Sequence, residues 1–307
     1  MDRRAFLRDS ATAGAWAASS PLHSSEERTQ SPAFVLSSSR ETVSRPLPDL
    51  RPARWIWYPS GRCLQNTFVL FRRDLQLDAA PLRATGWIAA DSRYRLEING
   101  RRIQWGPAPS DPRWPEADPL DLTAHLQAGA NTIAVTVLYY GTGDGTWPIG
   151  LPGFLFWLET ETAGGGVKQL LVSDRGWNCS LARSWQPGHY KRWYLRALQE
   201  EFDAQLYPYG WNQPGFICDP NWRAAMELPG SPNQGSLNAG FYDYQSDTSA
   251  AGNQSEMRAR AIPLLAEANL PVKRLVEAAW LSWTVEPREY FDCRTPDAFV
   301  FDREQPA

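Results

Sequence analysis

Short alternating runs of apolar and polar residues dominate the chain from residue 54 onward. In residues 93–98 every second side chain is apolar, and residues 131–140 repeat this pattern. A period of two predicts half-buried strands. Asn99-Gly100 follows the first of these runs and predicts a type I′ turn, because both residues tolerate a positive φ. The pattern therefore predicts antiparallel strands joined by tight turns.

A run of three glycines divides these predicted strands into two groups, over residues 51–162 and 166–301. No stretch has the period of a long amphipathic helix, and strands do not alternate with helices. The predicted fold class is therefore all-β, with two antiparallel β-sandwich domains. Residues 229–256 are polar throughout and are predicted to form a long loop in the second sandwich.

The first fifty residues lack the strand pattern and are predicted to be a leader. In residues 1–22, Arg3-Arg4 and an Ala-rich stretch that contains Ala15-Trp16-Ala17 are typical of a cleavable twin-arginine signal peptide. Residues 23–50 are rich in Ser, Pro and Arg and are predicted to be a disordered linker. We therefore expect the protein in the periplasm or secreted. The alternative is an N-terminus that is basic by accident.

The composition fits a folded protein and excludes some classes of partner. The 307 residues include 31 Lys and Arg against 34 Asp and Glu, a net charge of -3, with no basic block. A nucleic-acid partner is therefore not expected. No apolar run approaches the roughly 18 residues that a membrane-spanning helix needs. The high content of Trp (15) and Pro (25) agrees with short strands and many turns.

The four cysteines, Cys63, Cys179, Cys218 and Cys293, are widely spaced and include no Cys-x-x-Cys pair. A cysteine metal cage is therefore not expected. An oxidising periplasm would allow disulfides, and Cys179 with Cys218 is the first pair to test. Four part-buried thiols are the alternative, and the sequence does not distinguish the two.

The sequence contains no catalytic signature. It lacks the nucleophile elbow, the zinc-protease helix and the phosphate-binding loop. Glu200, Glu201 and Asp203 form the densest acidic cluster, but sequence spacing fixes neither the separation nor the pKa of two carboxylates. No catalytic residue, metal ligand or cofactor is predicted. A calcium ion is compatible with such a sandwich, although no acidic loop identifies a site for it.

Two Pro- and Gly-rich loops combine aromatic residues with charged ones. A sugar ring packs its C–H face on tryptophan, and its hydroxyls need polar partners at the edge. Loops held by a rigid sandwich often carry binding sites. Carbohydrate binding is therefore predicted for the following residues of the two loops: Trp105, Asp111, Arg113, Trp114, Tyr140, Asp144 and Trp147. Structural packing is the alternative for Trp114 and Trp147.

The first predicted sandwich carries an ordered series of motifs. They are Trp55-Ile56-Trp57, Phe71-Arg72-Arg73, Ala90-Asp91-Ser92-Arg93-Tyr94, Asn99-Gly100, Gly106-Pro107, Leu120-Asp121-Leu122 and Asn131-Thr132-Ile133-Ala134-Val135. With these motifs, residues 54 to 300 resemble the N-terminal β-sandwich region of bacterial α-L-rhamnosidases. This resemblance implies galactose-binding-like jelly rolls and a catalytic (α/α)6 barrel after the sandwiches. The present sequence ends before such a barrel would begin, so no catalytic residue carries over. The resemblance also implies that the loop with Asp144 and Trp147 lies near the barrel or its substrate.

Two hypotheses of function follow from these observations. The first is an exported, non-catalytic carbohydrate-binding or accessory protein, for which the resemblance suggests a rhamnose-containing glycan as partner. The alternative is a truncated or split α-L-rhamnosidase, a glycoside hydrolase whose barrel is absent from this chain. In that case a separately encoded catalytic barrel is a candidate partner. No activity is predicted for this chain by itself.

Overall fold

Two sheets face each other across one apolar core. The computed structural model describes residues 46–61, 63–111, 114–141, 150–162, 169–185, 202–234, 256–265, 271–275, 280–283 and 299–302, with the backbone alone in the last two ranges. The described strands in chain order are β1 (Ile56–Trp57), β2 (Thr67–Leu77), β3 (Arg83–Asp91), β4 (Arg93–Ile98), β5 (Arg101–Gly106), β6 (Glu116–Asp121), β7 (Gly129–Tyr139), β8 (Gly153–Glu161), β9 (Gln169–Val172), β10 (Asn178–Leu181), β11 (Arg223–Ala224), β12 (Met226–Glu227), β13 (Arg258–Ala259), β14 (Trp280–Trp283) and β15 (Phe299–Asp302).

The order of strands defines the two layers. The first sheet runs β12-β1-β8-β3-β6-β13, with β9 also paired to β8, and the second runs β11-β10-β2-β7-β4-β5. All pairs in these sheets are antiparallel except β13 with β6, which is parallel. Strands β14 and β15 form a separate antiparallel pair. The all-β, largely antiparallel class predicted from the sequence is confirmed.

Alternation along the strands places apolar side chains between the sheets. In β4, Tyr94, Leu96 and Ile98 are buried in the core. The β4–β5 hairpin turns at Asn99 and Gly100, which have φ values of 51° and 78°. The two-residue turn predicted there is therefore confirmed. Within the described part of the chain the helical structure is one 3-10 helix, Ala204–Leu206.

The strands that follow residue 164 extend the same two sheets. Strand β9 pairs with β8 and β12 with β1 in the first sheet, while β10 pairs with β2 in the second. The sheets therefore continue across the predicted boundary between two sandwiches, and the described strands from β9 to β13 belong to the same two sheets as the strands before it. Strands β14 and β15 are the described strands of the predicted second sandwich that lie outside these sheets.

The end of the predicted linker belongs to the fold. Leu50 is buried in the core, and its N–H donates to Asn233 Oδ1 at 2.8 Å. Burial of Leu50 removes apolar surface from water, which favours an ordered conformation here. The predicted signal peptide and residues 23–45 of the predicted linker lie outside the described residues, as does the predicted polar loop from residue 235 to residue 255.

Cys63, Cys179 and Cys218 are free thiols, so of the two alternatives left open by the sequence the free-thiol one holds for these residues, and Cys179 and Cys218 form no disulfide. Cys179 lies in the core between the sheets, whereas Cys218 packs against a second apolar cluster. This second cluster includes Leu70, and the core includes the next residue of β2, Phe71. Successive strand residues point to opposite faces, so the second sheet separates the two thiols. Cys293 lies outside the described residues.

A buried polar network joins the two sheets. The Tyr94 hydroxyl on β4 donates to Asp118 Oδ2 on β6 at 2.6 Å. Arg260, which follows β13, donates from Nε to Asp118 and contacts Glu116 through Nη1 at 3.0 Å. The side chains of Arg260 and Asp118 are each 2% exposed. Burial raises the pKa of Asp118, and the nearby Arg260 charge opposes this effect.

We expect Arg260→Leu to lower the free energy of unfolding by about 3–5 kcal/mol, because Asp118 would keep a buried charge without its partner. Urea unfolding measures this loss. Arg175→Gln is the matched control: Arg175 pairs with Glu227 at 3.4 Å but is 80% exposed. Breaking such a surface pair costs about 0–1 kcal/mol. Equal losses in the two variants would contradict the importance of the network.

Candidate functional site

The two loops predicted to bind carbohydrate flank one end of the sandwich. Strand β3 ends at Asp91, which pairs with Gly153 at the start of β8. Strand β4 begins two residues later, and its Tyr94 pairs with Gly106 at the end of β5. We call this end, with its described residues 91–93, 105–111, 114–115, 140–141 and 150–152, the Asp91 end.

The turn between β3 and β4 forms the centre of the Asp91 end. Ser92 Oγ donates to Asp91 Oδ1 at 2.6 Å and accepts from the Tyr140 N–H at 3.1 Å. Asp91 also lies against Gly150, where an added Cβ would be 1.4 Å from Asp91 Oδ2. A larger residue at position 150 would therefore displace the Asp91 carboxyl group.

The electrostatics of this turn favour a neutral carboxyl group. Burial raises the pKa of Asp91 to about 7, although the hydrogen bond from Ser92 lowers it. The Cys63 thiol lies close enough for the Asp91 charge to affect it. Burial, the larger cause, raises the pKa of Cys63 to about 12, and the Asp91 charge adds to this effect. A protonated Asp91 could donate a hydrogen bond as well as accept one.

Trp105 lies on β5 among arginine side chains. The guanidinium carbons of Arg93 and Arg102 are 5.5 and 5.9 Å from the centroid of its ring. Distances below about 6 Å allow cation–π attraction. Arg93 Nη1 also donates to the Pro107 carbonyl oxygen at 3.1 Å, which ties this side chain to the neighbouring loop. At least one face of the indole ring is thus taken by a guanidinium group.

Trp114 is the most exposed of the predicted site residues that the structure describes, at 48%. Its backbone N–H donates to the Asp111 carbonyl oxygen at 2.8 Å. The Arg258 guanidinium lies 5.1 Å from the ring centroid. Arg258 is on β13, opposite Glu116 of β6. An exposed indole paired with a cation can contact a ligand through its free surface.

Of the seven residues predicted to bind carbohydrate, four are described, and all four lie at the Asp91 end. Tyr140 is half-buried, and its carbonyl oxygen accepts from the Asn66 N–H at 3.3 Å. Arg113, Asp144 and Trp147 lie outside the described residues, as do Glu200 and Glu201. Asp203 caps the 3-10 helix by accepting from Gln205 N at 2.9 Å, a structural role.

Sequence reasoning missed three arginines of this site, Arg93, Arg102 and Arg258. Arg93 stands in a strand whose alternate residues are apolar, so its outward position could have been read from the pattern. Arg258 has no such signal, because it lies 144 positions from Trp114 in the sequence and is brought close by the β13–β6 pairing. The described residues contain no group of three or more potential metal ligands and no helix able to span a membrane.

Comparison with known proteins shows where this architecture occurs. Residues 79–240 match the family described as the alpha-L-rhamnosidase N-terminal domain. An alpha-L-rhamnosidase of Streptomyces avermitilis is 28% identical over 134 residues, which are 42% of this chain and 12% of that protein.

Two crystal structures of rhamnosidases show the same fold. The GH78 family rhamnosidase of Bacillus sp. GL1 is 25% identical with a TM-score of 0.51. The alignment covers 72% of the present chain and 20% of the Bacillus chain. The alpha-L-rhamnosidase of Aspergillus terreus is 25% identical with a TM-score of 0.50. This alignment covers 60% of the present chain and 22% of the Aspergillus chain. This chain therefore aligns with about an eighth to a fifth of the length of these relatives.

The raised pKa of Asp91 predicts a pH dependence of stability. Between about pH 4 and pH 7 the unfolded chain loses this proton while the folded chain keeps it, so the contribution of Asp91 to the free energy of unfolding falls as pH rises. The free energy of unfolding of Asp91→Asn minus that of the unchanged protein should therefore increase as pH rises from about 4 to about 7. Above about pH 7 this difference should stay constant. Urea unfolding at pH 4.5, 6 and 8 measures the difference. A pH-independent difference would contradict the raised pKa.

Proposed function

The chain belongs to the alpha-L-rhamnosidase N-terminal domain family, and on this premise we propose that it is an exported, non-catalytic carbohydrate-binding or accessory part of an α-L-rhamnosidase-type protein. One observation carries the proposal: two tryptophans with polar and charged neighbours lie at one end of a rigid sandwich. This is the combination that saccharide recognition needs, an apolar ring beside hydrogen-bonding groups.

The non-catalytic part of the proposal rests on the carboxyl groups whose surroundings are known. Glycoside hydrolysis needs two carboxyl groups that flank the scissile bond. At this end Asp91 accepts a hydrogen bond from Ser92 and lies against Gly150. The other carboxylate in the described network, Asp118, is buried against Arg260 and Tyr94. It therefore belongs to the support of the fold. Binding without hydrolysis is the function that these contacts favour.

We expect the full chain to bind rhamnose-containing oligosaccharides, and Trp114→Ala to weaken this binding about tenfold, since an aromatic contact contributes roughly 1.4 kcal/mol. Isothermal titration calorimetry measures the affinity. Leu82→Ala is the control, because Leu82 is an exposed apolar residue, at 65%, next to the start of β3 and therefore at the opposite end of that strand from Asp91. Absence of binding to any plant or microbial glycan at millimolar concentration would overturn the proposal.

A second candidate is a chain that works with a catalytic (α/α)6 barrel, supplied by another gene or by a longer reading frame. The favouring observation is the exposure of large apolar side chains on segment 202–222, among them Leu206, Tyr209 and Ile217. Exposed apolar patches often mark protein interfaces. Sequencing downstream of codon 307 and co-purification with the product found there test this candidate. Unrelated downstream genes and no co-purifying barrel would contradict it.

Export is the remaining part of the proposal, and it rests on the twin-arginine pattern at Arg3-Arg4. A fusion of residues 1–50 to a reporter should reach the periplasm, and Arg3→Lys with Arg4→Lys should keep the reporter in the cytoplasm. Equal export of the two fusions would contradict this route.

A further inference from the structure

The exposed ring of Trp114 is covered on one face by a cation. Arg258 lies over the ring, with its guanidinium carbon 5.1 Å from the ring centroid. At this distance a guanidinium group and an indole ring attract each other. Trp114 as a whole is 48% exposed. Such an exposure fits a ring that has one face covered and the other face open to a ligand.

The backbone of the sandwich holds Arg258 at this place. Its N–H donates to the carbonyl oxygen of Pro115, the residue after Trp114, at 2.9 Å. Its Cα lies opposite that of Glu116 in the pairing of β13 with β6. Pro115 is buried, so this hydrogen bond belongs to the folded sandwich. A paired strand thus carries the cation, and the end of the preceding loop carries the ring.

The neighbouring carboxylates are bound by another arginine. Arg260 donates from Nε to Asp118, and its Nη1 lies 3.0 Å from Glu116 Oε2. Glu116 therefore pairs with Arg260, although its Cα lies opposite that of Arg258. Among the described residues, the contact that the Arg258 guanidinium makes is the one with the Trp114 ring. The position of this cation is thus linked to the ring.

The hydrogen bond of the loop orders the backbone of Trp114 and not its ring. The backbone N–H donates to the Asp111 carbonyl oxygen at 2.8 Å. No aromatic ring of the described residues packs against this indole, and the group over it is the Arg258 guanidinium. A mobile side chain loses rotamer freedom when it binds a ligand, and this loss lowers the affinity. A cation that holds the ring beforehand removes part of that cost.

We propose that Arg258 is the positioning residue of a saccharide subsite at Trp114. The guanidinium holds the indole ring from one side, and the C–H face of a neutral pyranose unit stacks on the other side. Arg258 itself does not touch the sugar. Stacking of this kind needs an apolar ring face and no charge on the ligand. This inference rests on the proposed carbohydrate-binding function and adds the residue that prepares the ring and the class of sugar unit that stacks on it.

The first measurement needs no ligand. In the nitrogen-15-labelled full chain, the indole Nε1–H signal of Trp114 is the one that disappears in Trp114→Phe. We expect the heteronuclear NOE of this signal to fall in Arg258→Gln, because the ring gains motion on the ps–ns timescale when it loses its cation. Arg83→Gln is the control, since Arg83 pairs with Glu161 and begins β3, at the opposite end of that strand from Asp91. An unchanged NOE in Arg258→Gln would overturn the positioning role.

A double-mutant cycle tests whether Arg258 acts through the ring. The measurement is isothermal titration calorimetry of the full chain with a neutral rhamnose-containing oligosaccharide. Arg258→Gln should weaken binding about two- to fivefold, the typical strength of a cation–π contact at an exposed site. In the Trp114→Ala background the same substitution should have no effect, because the ring through which it acts is gone. An equal loss in both backgrounds would mean that Arg258 contacts the sugar directly, and this would overturn the proposal.

The remaining outcomes separate this inference from the fold and from the function on which it rests. Arg258 is exposed and its backbone hydrogen bond does not involve the side chain, so Arg258→Gln should keep the thermal midpoint of the unchanged protein. A lower midpoint would mean that Arg258 supports the fold, and this would contradict the inference. Binding of the neutral oligosaccharide with no effect of Arg258→Gln would sink the inference while the proposed function stands. Absence of binding to every glycan would overturn the proposed function and the saccharide subsite together.

Discussion

The buried interaction of Asp118 with Tyr94 and Arg260 is the constraint on which the candidate site depends. It joins β6 of the first sheet to β4 of the second through a 2.6 Å hydrogen bond, and Arg260 supplies the compensating charge. A buried carboxylate is costly unless it is paired and hydrogen-bonded. The pairing therefore fixes the relative position of three strands, β4, β6 and β13, much more tightly than apolar contacts alone, which have no direction.

The same interaction sets the geometry of the Asp91 end. Gly106 lies against the network: an added Cβ would be 2.6 Å from Asp118 Oδ2 and 2.9 Å from the Tyr94 hydroxyl oxygen. Gly106, the last residue of β5, is thereby held close to β6. Trp105 directly precedes Gly106. Because Arg260 anchors the chain after β13, Arg258 two positions earlier comes to lie over Trp114. A buried ion pair in the core thus positions an exposed cation and ring at the surface.

The sequence predicted those features that depend on neighbours along the chain. Alternation predicted the strands, Asn99-Gly100 predicted the β4–β5 turn, and the clustering of Trp with Pro and Gly selected two loops that flank the same end. Features that depend on distant pairing were missed. Three glycines suggested a domain boundary near residue 164, yet β9, β10 and β12 join the earlier sheets.

Two further features have the same physical origin. The sequence left a Cys179–Cys218 disulfide open as one of two alternatives, because burial of the two thiols on opposite faces of a sheet is not visible in their spacing of 39 positions. Arg258 shows no pattern of its own, and only the parallel pairing of β13 with β6 brings it to Trp114. Local periodicity shows on which face of a strand a side chain lies. The residue that it contacts on a neighbouring strand depends on which strands pair.

The arginines give the aromatic residues of this end a different meaning from the one that their composition suggests. A tryptophan in a Pro-rich loop favours stacking with a sugar, but guanidinium groups near the Trp105 and Trp114 rings occupy part of that surface. Cation–π attraction then ties the guanidinium groups to the rings. At this end the aromatic residues are thus linked to the arginines, since Arg93 and Arg102 lie near the Trp105 ring and Arg258 lies near the Trp114 ring.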